Sequence, residues 1–297
     1  MVAKKVVIAG GTGFVGSFLL DKFKKDGYEV VLISRQKGHV NWNQPQQILA
    51  ALEDAELLIN LAGKSINCRF TPANKEGILS SRIETTQLLG ETILKCQTPP
   101  ELWINASAIG LYRHSTDKAM TEAEYQTDNS FISEVVQKWE NAFFSVKPSK
   151  TRQVALRISV VLGKNGGAFS TLSSLVRFGL GGKQASGKQM FSWIHIHDFY
   201  RIIEHLQTNR NLDGVFNCAT ANPVTNSQLM KAFRKTMQMP LGLPAPEFGI
   251  KLGAFFIGTE PELILKSQWV MPQRLIESGF NFDFPQIETA LSNLLIA

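Results

Sequence analysis

Gly10-Gly11-Thr12-Gly13-Phe14-Val15-Gly16 sets three glycines, Gly10, Gly13 and Gly16, at intervals of three. The run directly follows the short apolar stretch Val6 to Ala9. It opens a segment in which Phe14, Val15, Phe18, Leu19 and Phe23 recur at helical spacing. In such a strand–turn–helix the first glycine permits the tight turn. The second lets backbone N–H groups approach a pyrophosphate, and the third lets the helix pack close to the sheet. Gly10, Thr12, Gly13, Phe14, Val15 and Gly16 are therefore expected to hold a dinucleotide.

The next chemistry lies at the end of the second strand. A dinucleotide with a free ribose 2′-hydroxyl usually meets an acid about 20 residues after the glycine run. Here the strand ends Leu32-Ile33-Ser34-Arg35, and no Asp or Glu occurs from Val30 to Leu52. Arg35 suits a 2′-phosphate through charge-assisted hydrogen bonds, and Ser34 adds a hydroxyl. NADP is expected over NAD.

These residues need a scaffold, and the first half of the chain supplies one by alternation. Strands are expected at Val6 to Ala9, Glu29 to Ser34, Leu57 to Leu61, Leu102 to Ala106 and Val154 to Leu162. Helical periodicity lies between them, in Ile78 to Ile93 and Phe131 to Phe144 among others. Alternating strand and helix means an α/β fold, a Rossmann-type doubly wound parallel sheet, with ligands at the carboxyl ends of the strands. After Gly163 glycines loosen the pattern. A further strand is expected at Gly214 to Ala219, and helices at Asn226 to Met237, Phe248 to Lys266 and Ile287 to Leu295. The expected division is a nucleotide-binding core over 1–163, also receiving 190–220, and a smaller C-terminal substrate-side lobe over 164–297.

Composition narrows the classes. A chain of 297 residues, 44% hydrophobic and 19% charged, is foldable and long enough to bury a large core. The longest apolar stretches are too short to span a bilayer, so no membrane partner is expected. The net charge is +6, but no run of five like charges occurs, so no nucleic-acid partner is expected either. Cys68, Cys96 and Cys218 form no C-x-x-C pair, which points to a reducing compartment. With the first strand starting near Lys5, a cytoplasmic location is expected, and a processed organellar form would look the same. A monomer or homodimer is expected.

Several motifs together resemble the extended short-chain dehydrogenase/reductases: the glycine spacing, Asn60-Leu61-Ala62-Gly63, Asn105-Ala106-Ser107-Ala108, and Leu156-Arg157 before Val160-Val161-Leu162-Gly163. Ser81-Arg82-Ile83-Glu84-Thr85-Thr86, Lys138-Trp139-Glu140, Phe191-Ser192-Trp193-Ile194-His195 and Val270-Met271-Pro272-Gln273-Arg274 resemble one atypical subfamily, the NADP-binding epimerase family proteins. The resemblance spans nearly the whole chain. It implies that Leu61, Ala62 and Gly63 line the adenosine ribose and pyrophosphate, that Arg82 points at the cleft and that Val161 borders the nicotinamide. It also implies an oxidoreductase or nucleotide-sugar epimerase-like activity on a small molecule of sugar- or nucleotide-like character.

The chain departs from the resemblance at its chemical centre. Short-chain dehydrogenase/reductases pair a tyrosine and a lysine in Y-x-x-x-K, with a serine beside them. None of the four tyrosines here has a lysine four residues on. Counting back from Glu140, the tyrosine slot holds Ile132 and the lysine slot Val136, while Ser107 stands at the serine position. Two readings follow. Either Ser107, Tyr112, His114, Ser133 or Glu134 does the acid–base work, Glu134 on condition that burial raises its pKa. Or the protein binds NADP(H) without turnover, as a sensor or scaffold. His195 and His197 could share a strand face but have no third ligand at metal-binding spacing, so no metal is expected, and Asp198 is expected to cap a helix starting at Phe199.

Overall fold

The computed structural model describes residues 4–296. The chain runs β1 (Lys5–Ala9), α1 (Phe14–Lys25), β2 (Glu29–Ile33), α2 (Pro45–Leu52), β3 (Leu57–Asn60), α3 (Pro72–Ile93), β4 (Leu102–Ala108), a 3-10 turn (Ile109–Leu111), α4 (Phe131–Ser145) and β5 (Arg152–Ile158). It continues through β6 (Val160–Gly163), α5 (Gly167–Arg177), β7 (Met190–Phe191), β8 (Trp193–His195), α6 (Ile196–Thr208), β9 (Gly214–Cys218), β10 (Val224–Thr225) and α7 (Asn226–Thr236). It closes with α8 (Glu247–Ile257), α9 (Glu262–Leu265), α10 (Gln273–Glu277) and α11 (Ile287–Ile296).

Six strands form one parallel sheet in the order β2-β1-β3-β4-β5-β9. The order reverses between β1 and β3, which opens a crevice at their carboxyl ends. Apolar side chains cover both faces, as a parallel sheet requires. Leu19, Phe23, Phe199 and Ile203 pack on one face, and Ile48, Leu89, Ile93 and Phe143 on the other. The fold is the Rossmann-type doubly wound sheet that the alternation implied.

Three details differ from the sequence reading. The fifth strand does not run unbroken from Val154 to Leu162. It stops at Ile158, where both the N–H and the hydroxyl of Ser159 turn to the Cys218 carbonyl, and β6 leaves the sheet to pair with β8. The helix expected over 248–266 is two helices. Gly258 ends α8 in the left-handed conformation, φ 71°, and Pro261 restarts the chain. Asp198 is not the cap of its helix. His195 is the cap, its Nδ1 accepting the His197 N–H, and α6 starts at Ile196. The fully buried Asp198 carboxylate instead accepts the backbone N–H groups of Asp283 and Phe284, tying the C-terminal segment to α6.

The smaller lobe builds a second core around Phe169, Val176, Trp193, Leu229, Phe233 and Leu291 from α5, α7, α11 and the short strands. It meets the first lobe at the glycine run. A Cβ at Gly163 or Gly166 would stand 2.7 or 2.8 Å from the Phe14 ring, so those glycines let the β6–α5 turn lie against the start of α1. The six-stranded sheet takes its last strand, β9, from within this half of the chain.

Candidate functional site

The crevice is built around glycines that do different things. Gly10 has φ +75°, and a Cβ on it would stand 2.7 Å from the Ala62 backbone, so β1 and β3 close together only over glycine. A Cβ on Gly16 would stand 2.5 Å from the Gly11 backbone, so α1 approaches the turn only without a side chain. Gly13 is the opposite case. A Cβ there would meet nothing within 4 Å. It opens on solvent, beside the exposed Thr12 and the half-buried Phe14 and Val15. α1 begins at Gly13 with no side-chain cap and no acid in its first turn. A helix N-terminus with uncapped N–H groups over open space fits a pyrophosphate.

At the end of β2, Ser34 is buried and Arg35 exposed. The Ser34 hydroxyl accepts the Gln36 N–H and is 2.8 Å from His39 Nδ1. Ser34 thereby folds the loop that also carries Lys37 and His39. Those two basic side chains lie within the same acid-free stretch as Arg35. At the end of β3, the Asn60 side-chain oxygen Oδ1 accepts the Ala62 N–H at 3.1 Å, and its Nδ2 donates to Asn105 Oδ1 at 2.7 Å and to the Thr86 hydroxyl. This buried polar cross-link sets the Leu61-Ala62-Gly63 turn, leaving Leu61 half-buried, Ala62 buried and Gly63 exposed. Arg82 reaches that turn from α3. It forms no ion pair with Glu84 or Glu91. Its guanidinium donates to the Lys64 and Ile78 carbonyls, lies over the Trp139 ring at 5.1 Å, and would be 3.1 Å from a Cβ on Gly63. Burial pulls its pKa down to about 10. Val161, half-buried on β6, pairs with Ile194.

Beyond this crevice lies a polar network that spacing alone did not reveal. Ser107 on β4, Arg157 on β5 and Asn217 on β9 share one register row. The Ser107 hydroxyl donates to Glu140 at 2.5 Å, and Arg157 grips the same carboxylate with two nitrogens, both at 2.8 Å. Arg157 also donates to the Tyr112 hydroxyl, which donates to Asn217 at 2.6 Å. The Asn217 N–H donates to Glu122. The Arg157 charge lies over the Tyr112 and Tyr125 rings. Burial pushes the Tyr112 phenol up to about 12, against the neighbouring Arg157. Glu140 and Arg157 both fall in motifs quoted above. Their pairing across β5 and α4 was invisible without the fold.

The condition set for Glu134 is not met. Its side chain is 58% exposed and bonded to Lys138 one turn along, which lowers its pKa rather than raising it. Ser133 is buried and donates to the Leu111 carbonyl. Tyr112 is wholly buried. His114 is exposed, and its Nδ1 accepts the Ser267 N–H. Among the described residues, no cluster of three metal-ligating side chains occurs, and no helix is long and apolar enough to cross a membrane.

Comparison with known proteins places this geometry. Residues 6–219 match the NAD dependent epimerase/dehydratase family. The chain belongs to that family. A second match, over residues 245–294, is to a domain of unknown function, DUF1731. Family relatives include the epimerase family protein SDR39U1 of Bos taurus, 34% identical over 98% of this chain and 99% of its own. Another is the epimerase family protein YfhF of Bacillus subtilis, 34% identical over 98% and 97%. Among solved structures, human SDR39U1 with NADPH superimposes with a TM-score of 0.90, at 32% identity, over 98% of each chain. MoeE5 in complex with UDP-glucuronic acid and NAD, at 19% identity and a TM-score of 0.75 over 98% of each chain, shares the fold.

The two positions counted back from Glu140, Ile132 and Val136, carry only carbon in their side chains. Ile132 and Val136 lie in one apolar cluster with Ile109, Leu111, Met120 and Val270, and Ile66, Phe70 and Phe131 pack against it. Gly110 closes on Ile132, where a Cβ would stand 2.5 Å from the isoleucine methyl. Neither side chain can give or take a proton.

Proposed function

We propose that this epimerase-family chain binds NADP(H) and uses it in an oxidoreductase or epimerase-like reaction on a small molecule of sugar or nucleotide character. The observation that carries the cofactor reading is the acid-free end of β2, with Ser34, Arg35, Lys37 and His39 on one loop. The NADPH in the structure of human SDR39U1 supports it. When bound, the cofactor would supply or accept hydride. The α1 N-terminus at Gly13 would hold the pyrophosphate, Arg35 the 2′-phosphate, and Leu61, Ala62 and Gly63 the adenosine side. Arg82 stiffens that turn, and Val161 borders the nicotinamide end. The nucleotide-sugar character rests on fold relatives such as MoeE5.

The chain's own contribution to proton movement is unusual. By the resemblance, Ile132 and Val136 stand where short-chain dehydrogenases keep their tyrosine and lysine. Ser107 is the hydroxyl at the family's serine position; it is buried like Tyr112 and Ser133, and it directs its proton to Glu140. The reading of a cytoplasmic, reducing setting is supported by three free cysteines.

The cofactor reading is tested by NADPH and NADH titrations. Wild type should prefer NADPH, and Arg35→Ala should weaken NADPH binding roughly 10- to 100-fold while leaving NADH unchanged. Equal wild-type affinities would sink it. Chemistry is tested by following NADPH absorbance against carbonyl compounds, and by following formation of the epimer from nucleotide sugars, where the cofactor is regenerated and absorbance does not change. Turnover that Ser107→Ala depresses supports an enzyme. Tight binding without turnover on any substrate supports the sensor or scaffold reading, which Ile132 and Val136 motivate.

A further inference from the structure

The net charge of +6 conceals a sharp division. No Asp or Glu occurs between Glu140 and Asp198, nor between Asp213 and Glu247, yet these two stretches carry eleven Lys and Arg. The rest of the chain has twenty basic against twenty-five acidic residues and is net negative. The two stretches meet in the smaller lobe. After α5, the 179–185 segment lies alongside 241–245. Gly182 N–H donates to the Leu243 carbonyl, Leu243 N–H to Gly179, and Ala185 N–H to Ala245. A Cβ on Gly182 would stand 2.4 Å from the Leu243 backbone, so the two segments are packed and not loosely draped.

This firm double loop presents large apolar side chains to solvent. Phe178 is 82% exposed, Leu241 75% and Leu243 65%, with Leu180 beside them. Arg177, Lys183, Lys188 and Lys235, all exposed, are carried on the same segments and on α7. Pro246 then leads into α8, whose Phe248, Leu252, Phe255 and Phe256 recur at i, i+4, i+7 and i+8 and are exposed too. Asp128, Glu247 and Glu262 line a cleft with Ala185 and Ser186 at the edge of this loop, Asp128 paired with Lys266 and Glu247 with Lys251.

We propose that this face docks on the surface of an anionic lipid bilayer. Apolar side chains raised on a rigid tip suit the interfacial region, and the cations, with no carboxylate from their own stretches, suit acidic headgroups. Charge complementarity decides the occupant. A protein groove for this tip would need apolar cover and an acidic rim together, whereas an anionic bilayer offers both everywhere on its surface. Such contact requires no spanning helix, and it departs from the expectation of no membrane partner, which rested on the length of apolar runs alone. It is independent of the cofactor reading.

The experiment is sedimentation of the full chain with vesicles of phosphatidylcholine alone, or of equal parts phosphatidylcholine and phosphatidylglycerol, at low and high salt. Retention on the anionic vesicles alone, weakened by salt, is expected. Phe178→Asp with Leu243→Asp, and separately Lys183→Glu with Lys235→Glu, should each lower the partition coefficient roughly tenfold or more. A second readout avoids added charge: Phe178→Trp should gain a blue-shifted emission component with anionic vesicles that brominated lipid quenches. The proposal is overturned by no retention on anionic vesicles at low salt, by equal retention of the variants, or by an unshifted emission spectrum of the Phe178→Trp protein. It is overturned equally if sedimentation velocity without lipid shows a dimer that Phe178→Asp with Leu243→Asp abolishes, since a second copy would then cover the tip.

Discussion

The three glycines of one motif separate into structural and ligand-facing residues, and single methyl groups distinguish them. A Cβ on Gly16 runs into backbone that cannot yield, whereas one on Gly13 meets no protein atom. Gly13→Ala should therefore keep its melting temperature within a degree or two of wild type and lose NADPH affinity by about tenfold or more, because the methyl fills the cradle. Gly16→Ala should lower stability by roughly 1–3 kcal/mol by denaturant unfolding. A Gly13→Ala protein that binds NADPH normally would remove the pyrophosphate from this site. The buried Arg157–Glu140 pair is judged on the same scale. Arg157→Ala leaves a carboxylate in the interior with the Ser107 hydroxyl but without its guanidinium, and should cost roughly 3–5 kcal/mol in urea unfolding.

At the scale of elements, α4 decides what chemistry the cleft can hold. Its inner face carries Ile132, Val135, Val136, Trp139 and Phe143, all buried, so the helix is held by apolar packing and not by a catalytic tyrosine and lysine. Writing a lysine back at position 136 places an ammonium among Leu111, Ile132 and Val270. Val136→Lys should destabilise the protein by about 2–4 kcal/mol, read as a shifted urea midpoint, and should not create activity. Undiminished stability would mean that the apolar cluster opens to water. The edge strand β9 shows another element-level device. Arg274, from the terminal Val270-to-Arg274 motif, donates to the Asp213 and Val215 carbonyls and stacks over Phe216. It occupies backbone acceptors that an open sheet edge would offer to another chain.

For the whole molecule, the joint between α6 and the C-terminal segment predicts an acid response. His195 is fully buried and stacks on Phe284, and burial, with His197 beside it, lowers its pKa to about 4 from an ordinary 6.5. The unfolded chain thus binds a proton that the folded chain refuses between those values. The neutral imidazole contributes fully above about pH 6.5, and its contribution is lost as pH falls toward 4, on the order of 2–3 kcal/mol in all. Melting temperature should fall across that window in the wild type and fall less steeply in His195→Gln. Parallel slopes would assign the acid response to other groups.

The glycine run, the acid-free end of β2, the alternation of strands and helices and the missing Y-x-x-x-K were all legible in the chain itself. Each depends on neighbours close in sequence, where turn geometry and periodicity act directly. Separations of tens of residues were not legible. The fifth strand ends at Ile158 because Ser159 finds Cys218, and Asp198 serves Asp283 and Phe284 instead of its own helix. Ser107 and Glu140 are partners 33 positions apart, while Glu134, on the same helix, faces water. Sequence determined which residue types were present for chemistry. Only the tertiary structure decided which of them are buried and paired, because burial and partnership come from segments that meet across the sheet.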